Sequence, residues 1–269
     1  LSSAAGYLLS SLRPNPQIIV LFIGVFTLAC GASALNQYQE RDIDARMSRT
    51  EKRAIPSGRI RPDEALSFSL LLIASGLSTL LFTGNVYAPL LGLSAVIWYN
   101  GLYARLKRKS AFAAVPGALV GVIPPLMGWV SGGGSLHDLR VLALCFFFFL
   151  WQIPHFWLLV LCHGDDYEKA GLPTLLKVFR KSQFPKIIAN WIFSLSVSCL
   201  LLSFSSARTS PSSMVFLTLV SLLFAWDGIK LFRAGVSSWI YPNLFRNINL
   251  YMLLVIVFLA LDSLLFRTV

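Results

Sequence analysis

Charged residues are scarce in this chain. They make up 13% of its 269 residues, against about 25% in ordinary soluble domains, while hydrophobic residues make up 56%. A chain so poor in charge is not a soluble domain, because its apolar side chains outnumber the places that a soluble core could offer them. We therefore predict an integral membrane protein.

Cysteine and histidine are also rare. The chain has four cysteines, none of them spaced as Cys-x-x-Cys, and three histidines. So few ligands in this arrangement exclude a disulfide framework and a zinc site. The cysteines are Cys30, Cys145, Cys162 and Cys199. All lie in or at the ends of apolar segments, so we interpret them as packing residues.

Long apolar segments are what the chain has in abundance. About 20 apolar residues suffice to cross a bilayer core of about 30 Å. Eight such windows are present, at 17–35, 66–84, 87–104, 112–130, 139–162, 187–206, 214–232 and 248–266. They must be helical, because an open strand would leave backbone amides unpaired in lipid. We predict an all-α, polytopic membrane helical bundle in which residues 1–269 form a single transmembrane domain.

Basic residues lie mainly on one side of this predicted bundle. Nineteen of the 23 lysines and arginines fall in or beside the connections after the first, third, fifth and seventh spans; the others are Arg13, Arg140, Arg208 and Arg267. Basic loops stay on the inner side of a membrane. We predict that these connections face the cytoplasm of a bacterial inner membrane, or the mitochondrial matrix if the protein is eukaryotic. The net charge of +11 then mainly reflects topology, and no nucleic-acid partner is expected.

A dense charged block follows the first span, at residues 36–59. Asn36, Glu40 and Asp44 recur every four residues, so a continuing helix places them on one face. Carboxylate and amide oxygens suit Mg²⁺, whose other positions are often filled by substrate phosphates. Six cations that can bind a polyphosphate lie in the same block: Arg41, Arg46, Arg49, Lys52, Arg53 and Arg59. The block predicts a site for a metal ion and a diphosphate.

A second acidic cluster, Asp165 and Asp166, follows the fifth span on the same predicted side. Two carboxylate clusters on one face of a bundle can hold one or two Mg²⁺ ions between them. The alternative interpretation is that both residues cap a helix or solvate a loop.

The first block resembles the first acidic motif of the UbiA-type intramembrane prenyltransferases, usually written N-x-x-x-D-x-x-x-D, with Glu40 as its first acid. Within that superfamily the chain is similar to the protohaem IX farnesyltransferase branch in several further stretches. These are residues 103–108, 121–129, 151–157, 165–173 and 244–246. The second D-x-x-x-D motif of other branches is absent, since Lys169 and Ala170 stand where its second Asp would be. Thr174 follows Pro173 where the haem branch usually has Met.

This resemblance implies a reaction. A farnesyl group would pass from farnesyl diphosphate to a vinyl group of haem b to give haem O, with Mg²⁺ as the cofactor. The implied catalytic residues are Asn36, Glu40, Asp44, Asp165 and Asp166, and the four carboxylates would hold the metal. The implied substrate contacts are Arg49, Arg53, Tyr103, Lys107, Arg108, Gln152, His155, Tyr167 and Lys169. The implied partners are farnesyl diphosphate, haem b, the lipid bilayer and a haem A synthase acting downstream.

The resemblance also implies nine transmembrane helices, one more than the windows counted. We expect the apolar residues 5–9 to be the end of a further helix whose beginning is absent from this sequence.

Several alternatives stay open. A related prenyltransferase could act on an aromatic or quinone precursor, although the 151–157 stretch and the missing second Asp favour the haem branch. A transporter would place ionisable groups near the membrane midplane, whereas these acids crowd one surface. His155 is either a ligand to haem iron or a neutral residue hydrogen-bonded to a neighbouring helix, with Gln152 one turn away. Tyr99 and Asn100 lie with Tyr103 at one end of the third predicted span, near the site. There they either contribute to the site or serve in packing and interfacial anchoring, which is the interpretation we favour.

Overall fold

The protein is helical wherever its structure is described. A computed structural model describes residues 1–11, 15–205, 210–234 and 240–265. Over these ranges no strand occurs, so the predicted all-α class is confirmed. Arg13, Arg208 and Arg267, which enter the predicted charge asymmetry, lie outside the described residues.

The helices follow one another with short connections. In chain order they are α1 (Ser2–Ser10), α2 (Gln17–Asp44), α3 (Pro62–Leu81), α4 (Tyr87–Val96), a π-helix (Ile97–Tyr103), α5 (Ala104–Leu106), α6 (Ala114–Gly117), α7 (Leu119–Ser131), α8 (Leu139–Cys162), α9 (Gly164–Lys169), α10 (Leu175–Val178), a 3₁₀ turn (Lys181–Gln183), α11 (Phe184–Phe204), α12 (Pro211–Ala234) and α13 (Ile240–Leu265).

Seven helical segments in the described part of the chain are long and apolar enough to cross a membrane, and they coincide with seven of the eight predicted spans. The remaining prediction, 87–104, is helical too, but it is not one α-helix. Its α4 part passes into the π-helix at Ile97 and returns to α-helix at Ala104. Residues 5–9 lie in α1, which packs against α7. The protein is an integral membrane protein with a polytopic helical fold.

Large apolar side chains on the outside of the bundle fit lipid contact. Phe26 is 61% exposed and Leu71 is 67% exposed, although both lie in the middle of long apolar helices. Lipid-facing helices need no polar outer face, because the surrounding solvent is itself apolar. Such side chains therefore surround the bundle without being buried in it.

The α2 and α3 helices pack closely through glycine. A Cβ atom at Gly31 would lie 2.8 Å from the Ile73 nitrogen, and one at Gly76 would lie 2.6 Å from the Leu28 nitrogen. Small residues let the backbones of membrane helices approach in this way. This contact fixes α2, which carries Asn36, Glu40 and Asp44 on one predicted face.

The length of α2 explains why that face lies at one end of the bundle. Its 28 residues extend about 42 Å at 1.5 Å per residue, which exceeds a bilayer core of about 30 Å. Its last turns, which carry the polar residues of the first acidic motif, therefore emerge at one surface of the bundle.

Candidate active site

A cavity of about 260 Å³ lies where the ends of α2, the π-helix and α8 meet. It brings together eight of the residues predicted from the sequence: Asn36, Glu40, Asp44, Arg49, Arg53, Tyr103, Lys107 and Tyr167. The charged block after the first span and the start of the stretch at 103–108 thus share one site.

Asn36, Glu40 and Asp44 form the acid face of this cavity. They lie one turn apart on α2 and are only 7%, 4% and 3% exposed. Asn36 Nδ2 donates to Glu40 Oε2 at 3.1 Å. Asn36 Oδ1 is buried and accepts no hydrogen bond from the described residues. The unpaired amide oxygen and the two carboxylates together form a set of oxygen ligands suited to a hard cation.

Each carboxylate of the acid face has a basic partner. Arg53 Nη1 lies 2.8 Å from Asp44 Oδ2. The Lys107 ammonium contacts Glu40 Oε1 as an ion pair without an aligned hydrogen bond. Thr50 Oγ1 donates to the Asp44 carbonyl at 3.0 Å, which holds the following loop against the end of α2. Buried charges need such partners, because desolvation of a lone ion is costly.

The π-helix supplies the opposite wall. Gln39 Nε2 donates to the Asn100 carbonyl at 3.1 Å, and Asn100 Nδ2 donates to the Ala32 carbonyl at 3.0 Å, so the π-helix is fastened to α2. A π-helix has wider turns and commonly occurs at functional sites. Here it places the rings of Tyr99 and Tyr103 in a stack with centroids 5.9 Å apart. Asn100 does pack as expected, whereas Tyr99 also lines the cavity.

The α8 helix contributes aromatic residues to the wall. Phe156 stacks on Tyr103 with ring centroids 5.9 Å apart, and both line the cavity. The ring of Tyr103 fits because Gly117 has no side chain; a Cβ atom there would lie 2.6 Å from Tyr103 Cδ2. The site therefore places polarisable ring faces beside the ion pairs.

Asp166 has a different position from the one predicted. Its Oδ2 accepts the backbone N–H of Arg49 at 3.1 Å, and its Oδ1 accepts that of Ser48 at 3.3 Å. Burial alone would raise the pKa of Asp166, but these hydrogen bonds and the charge of Lys169 lower the pKa below its ordinary value. Burial raises the pKa of the neighbouring Tyr167 hydroxyl.

The structure does not bring the four predicted carboxylates together in the described part of the chain, and their joint role as metal ligands stays a prediction. No three side chains among its His, Cys, Asp and Glu residues are placed to share one ion. The α8 helix ends at Cys162, and the turn at His163 into α9 directs Asp166 to the loop backbone. Asp165 and Asp166 border a second cavity of about 600 Å³ instead. This arrangement is nearer to the alternative in which the two acids serve a loop.

Four further predicted residues lie outside the lining of the first cavity. Arg108 is exposed and donates to the Gln39 carbonyl at 2.6 Å, while Lys169 faces solvent. Gln152 packs over Gly121, where a Cβ atom would lie 2.5 Å from its Oε1. His155 Nδ1 is 2.8 Å from Asn249 Oδ1 on α13. The structure does not bring these four to the acid face.

Sequence reasoning missed part of the lining. Thr174, whose buried Oγ1 lacks a partner among the described residues, and Phe156 both line the cavity.

A third cavity of about 210 Å³, almost wholly apolar, lies between α2, α4 and α7 and shares Tyr99 with the first. The four-residue spacing of Tyr99 and Tyr103 was a usable signal, since it puts both rings on one face.

The class of this membrane protein follows from its comparison with known families. Residues 1–249 match the model of the UbiA prenyltransferase family, so the chain belongs to that family and is an enzyme of the prenyltransferase class. A solved structure described as a digeranylgeranylglyceryl phosphate synthase superposes with a TM-score of 0.78 at 18% identity, covering 97% of this chain and 91% of that one. A UbiA homologue from Archaeoglobus fulgidus bound to GPP and Mg²⁺ superposes with a TM-score of 0.67 at 17% identity, covering 100% and 94%.

Curated relatives narrow the comparison to one branch. A protein named protoheme IX farnesyltransferase from Geobacter sulfurreducens is 39% identical over 202 residues, 75% of this chain and 74% of that protein. A protein of the same name from Oleidesulfovibrio alaskensis is 32% identical over 264 residues, 98% of this chain and 91% of that protein.

Proposed function

We propose that this enzyme transfers the farnesyl group of farnesyl diphosphate to a vinyl group of haem b, giving haem O. The observation that carries the proposal is the buried acid face of Asn36, Glu40 and Asp44 with Lys107 and Arg53 paired to its carboxylates in one cavity. Paired charges of both signs can accept a metal diphosphate by exchanging partners. The names of the relatives support the farnesyl donor and the haem acceptor.

The diphosphate is proposed to bind between the cations at the cavity. Lys107, Arg53 and Arg49 line it, and arginine in particular matches phosphate oxygens through paired N–H groups. As these cations turn to the diphosphate, the Glu40 and Asp44 carboxylates become free to ligate. Asn36 Oδ1 and these two carboxylates would then hold Mg²⁺, which supplies positive charge to the leaving diphosphate when bound.

The farnesyl chain is proposed to extend into the apolar third cavity. Tyr99 lines both cavities, so a molecule with its diphosphate at the acid face can continue past that ring toward Val96 and Met127. An apolar pocket within the bundle suits an isoprenoid, because the isoprenoid chain then contacts only apolar side chains and never a polar environment.

The proposed chemistry breaks the allylic C1–O bond, the π bond of the vinyl group and one O–H bond of water, and it forms one C–C bond and one C–O bond. The allylic C1–O bond of farnesyl diphosphate breaks and diphosphate leaves with the electron pair. The terminal vinyl carbon of haem b forms the new C–C bond to C1. A water oxygen then adds to the adjacent carbon, and its proton passes to the released diphosphate. Tyr103 and Phe156 present ring faces that stabilise developing positive charge near the ion pairs.

We also propose an inner-membrane location with the cavity on the cytoplasmic side, since the basic connections border the site. A haem A synthase acting downstream is the proposed consumer of the product. Asp166 enters the proposal as the residue that holds the Ser48–Arg49 backbone beside the cavity.

Product analysis tests the proposal. Purified protein is incubated in lipid nanodiscs with haem b, farnesyl diphosphate and Mg²⁺, and the products are examined by mass spectrometry. We expect a species with the mass of haem O that is absent when farnesyl diphosphate is omitted. Prenylation of an aromatic acid or quinone precursor in a parallel reaction, with haem b unchanged, would contradict the proposal and support the alternative branch.

A further inference from the structure

Two side chains in the wall of the first cavity have polar atoms that the fold leaves unpaired. Trp157 on α8 and Thr174, the residue before α10, are 6% and 2% exposed, and both line the cavity. The Trp157 Nε1 and Thr174 Oγ1 atoms are buried, and neither has a hydrogen-bond partner in the described part of the chain. Native proteins rarely leave buried polar atoms in this state, so each of them requires an explanation.

The backbone around Thr174 does not use the threonine hydroxyl. Thr174 is the N-cap residue of α10, a position where a threonine hydroxyl usually accepts a backbone N–H of the first turn. Its side chain makes no such hydrogen bond, although the Thr174 carbonyl accepts the Lys177 N–H at 3.2 Å. The short helix therefore begins without the side chain, and the hydroxyl stays available to a molecule in the cavity.

The wall that carries Trp157 and Thr174 is uncharged. The described residues between 156 and 175 that line the cavity include no ionic side chain. The cations of the lining come from the segments that follow α2 and α5: Arg49, Arg53 and Lys107. We therefore expect the diphosphate beside these cations and a neutral molecule at Trp157 and Thr174.

Water is the neutral polar reactant that the proposed reaction requires. A cavity of about 260 Å³ has room for it beside a larger substrate. An indole N–H can only donate a hydrogen bond, whereas a hydroxyl can also accept one. A water molecule that accepts from Trp157 Nε1 and donates to Thr174 Oγ1 keeps one lone pair and one O–H group. The lone pair can attack a cationic carbon, and the O–H group can face the diphosphate.

We propose that Trp157 Nε1 and Thr174 Oγ1 hold the water molecule that captures the cation left after the C–C bond has formed. The proposal rests on the proposed function, which it deepens by assigning residues to the last step. The water oxygen forms the C–O bond, and one water proton passes to the released diphosphate. Without a held water, the cation instead loses a proton from its neighbouring carbon to that diphosphate. The product is then an alkene that lacks one molecule of water relative to haem O.

The composition of the product tests this assignment. Wild type, Thr174→Val and Trp157→Phe are incubated in nanodiscs with haem b, farnesyl diphosphate and Mg²⁺, and the ratio of the alkene to haem O is measured by mass spectrometry. Valine keeps the shape of threonine without the hydroxyl, and phenylalanine keeps a ring without the N–H group. We expect each variant to raise the ratio about three- to tenfold, as the loss of one hydrogen bond to the water would.

Two further substitutions at Thr174 grade the effect. Thr174→Ser retains the hydroxyl and should keep the wild-type ratio. Thr174→Met introduces the residue that is usual here in the haem branch, and its sulfur accepts hydrogen bonds only weakly. We expect its ratio to lie between those of the serine and valine variants. A packing effect would instead follow side-chain volume, in which valine hardly differs from threonine.

Two variants elsewhere control for packing. Trp191 meets the Trp157 ring edge to face with centroids 5.7 Å apart, but it is not among the described residues that line the cavity. Thr83, which follows α3, is 3% exposed, and its Oγ1 donates to the Leu80 carbonyl at 2.7 Å. Trp191→Phe and Thr83→Val should both keep the wild-type ratio. Binding of inorganic diphosphate with Mg²⁺, measured by calorimetry, should be equal in all variants and shows that they are folded.

The results separate this proposal from the proposed function. An unchanged ratio in Thr174→Val and Trp157→Phe, while wild type produces haem O, would overturn the water site alone. Weaker diphosphate binding in Thr174→Val would place the hydroxyl on the diphosphate and would also overturn it. Wild type that produces no haem O would refute the proposed function itself. If Thr174→Val does not fold, the ratio in Trp157→Phe decides.

Discussion

At the scale of single residues, replacement of either carboxylate of the acid face should greatly lower the rate of the reaction. Removal of Glu40 or Asp44 takes away a metal ligand and leaves Lys107 or Arg53 without its buried partner. We expect Glu40→Ala and Asp44→Ala each to lower the rate of haem O formation about 100-fold or more. Product formation at saturating substrate is the measurement.

Asp42 provides the control for this prediction. It lies on the same helix but is exposed, so Asp42→Asn should retain nearly the wild-type rate. Normal turnover of both alanine variants at limiting Mg²⁺ would show that the acid face is not the diphosphate site.

Asp165 and Asp166 form a natural matched pair. Only Asp166 accepts the N–H groups of Ser48 and Arg49, so Asp166→Asn should speed hydrogen exchange at these amides while Asp165→Asn should not. Because the folded pKa of Asp166 is lowered, its stabilising effect is present above the unfolded pKa of about 3.9 and is lost as pH falls through the folded value. The difference in thermal stability between wild type and Asp166→Asn should therefore shrink below about pH 4. Equal exchange in the two variants would contradict the proposed role.

The acid face was predictable and its partners were not. Asn36, Glu40 and Asp44 share a face because the helical period requires it. The partner of Asp166 depends on the direction in which the chain turns at His163, which no local pattern specifies. Phe156 rather than His155 reaches the cavity for the same reason, since the rotation of α8 is set by its contacts with other helices.

At the scale of elements, the close contact of α2 and α3 makes Gly76 less tolerant of substitution than an ordinary helical glycine. Alanine normally stabilises a helix by about 0.5–1 kcal/mol relative to glycine. At Gly76 the added Cβ would meet the Leu28 backbone, and overpacking costs about 1–3 kcal/mol. We expect Gly76→Ala to lower the thermal unfolding temperature in detergent.

Gly101 is the corresponding control, since a Cβ atom there meets nothing within 4 Å. Gly101→Ala should leave the unfolding temperature unchanged or raise it. Equal shifts of the same sign in the two variants would mean that α2 and α3 are not in close contact.

The third cavity allows a prediction about the farnesyl chain. Ala95 lines this cavity, and Ala95→Phe would fill much of its apolar volume. We expect the KM for farnesyl diphosphate to rise about tenfold, while inhibition by inorganic diphosphate, which needs only the acid face, stays unchanged. Leu102→Phe on the exposed side of the π-helix should alter neither quantity. An unchanged KM in Ala95→Phe would place the isoprenoid elsewhere.

At the scale of the whole molecule, orientation is the open prediction. A cysteine introduced at Ser57 or Ser182 should resist a membrane-impermeant thiol reagent added from outside intact cells, whereas one at Gly133 should react. All three positions are exposed in the structure, so burial cannot account for a difference. The reverse pattern would place the cavity on the outer side and would leave the fold intact.

The spans themselves were predictable because a bilayer selects for length and hydrophobicity, both of which are visible in sequence. Two deviations have physical causes. The last helix begins at Ile240 rather than 248, because polar residues such as Asn243 and Asn247 can remain helical at a membrane surface. The window 87–104 contains a π-helix, whose Asn100 carbonyl accepts a hydrogen bond from Gln39, a residue far away in the sequence.

The π-helix also bears on how this family can change over evolutionary time. A π-turn contains about one residue more than an α-turn, so deletion of a single residue within Ile97–Tyr103 would restore regular α-helix. Everything after the deletion would then rotate by about 100° around the helix axis. Lys107 would leave Glu40, although no residue of the acid face had been altered. Single substitutions in this segment leave the two walls of the site facing each other. A change in the length of the segment separates the two walls in one step.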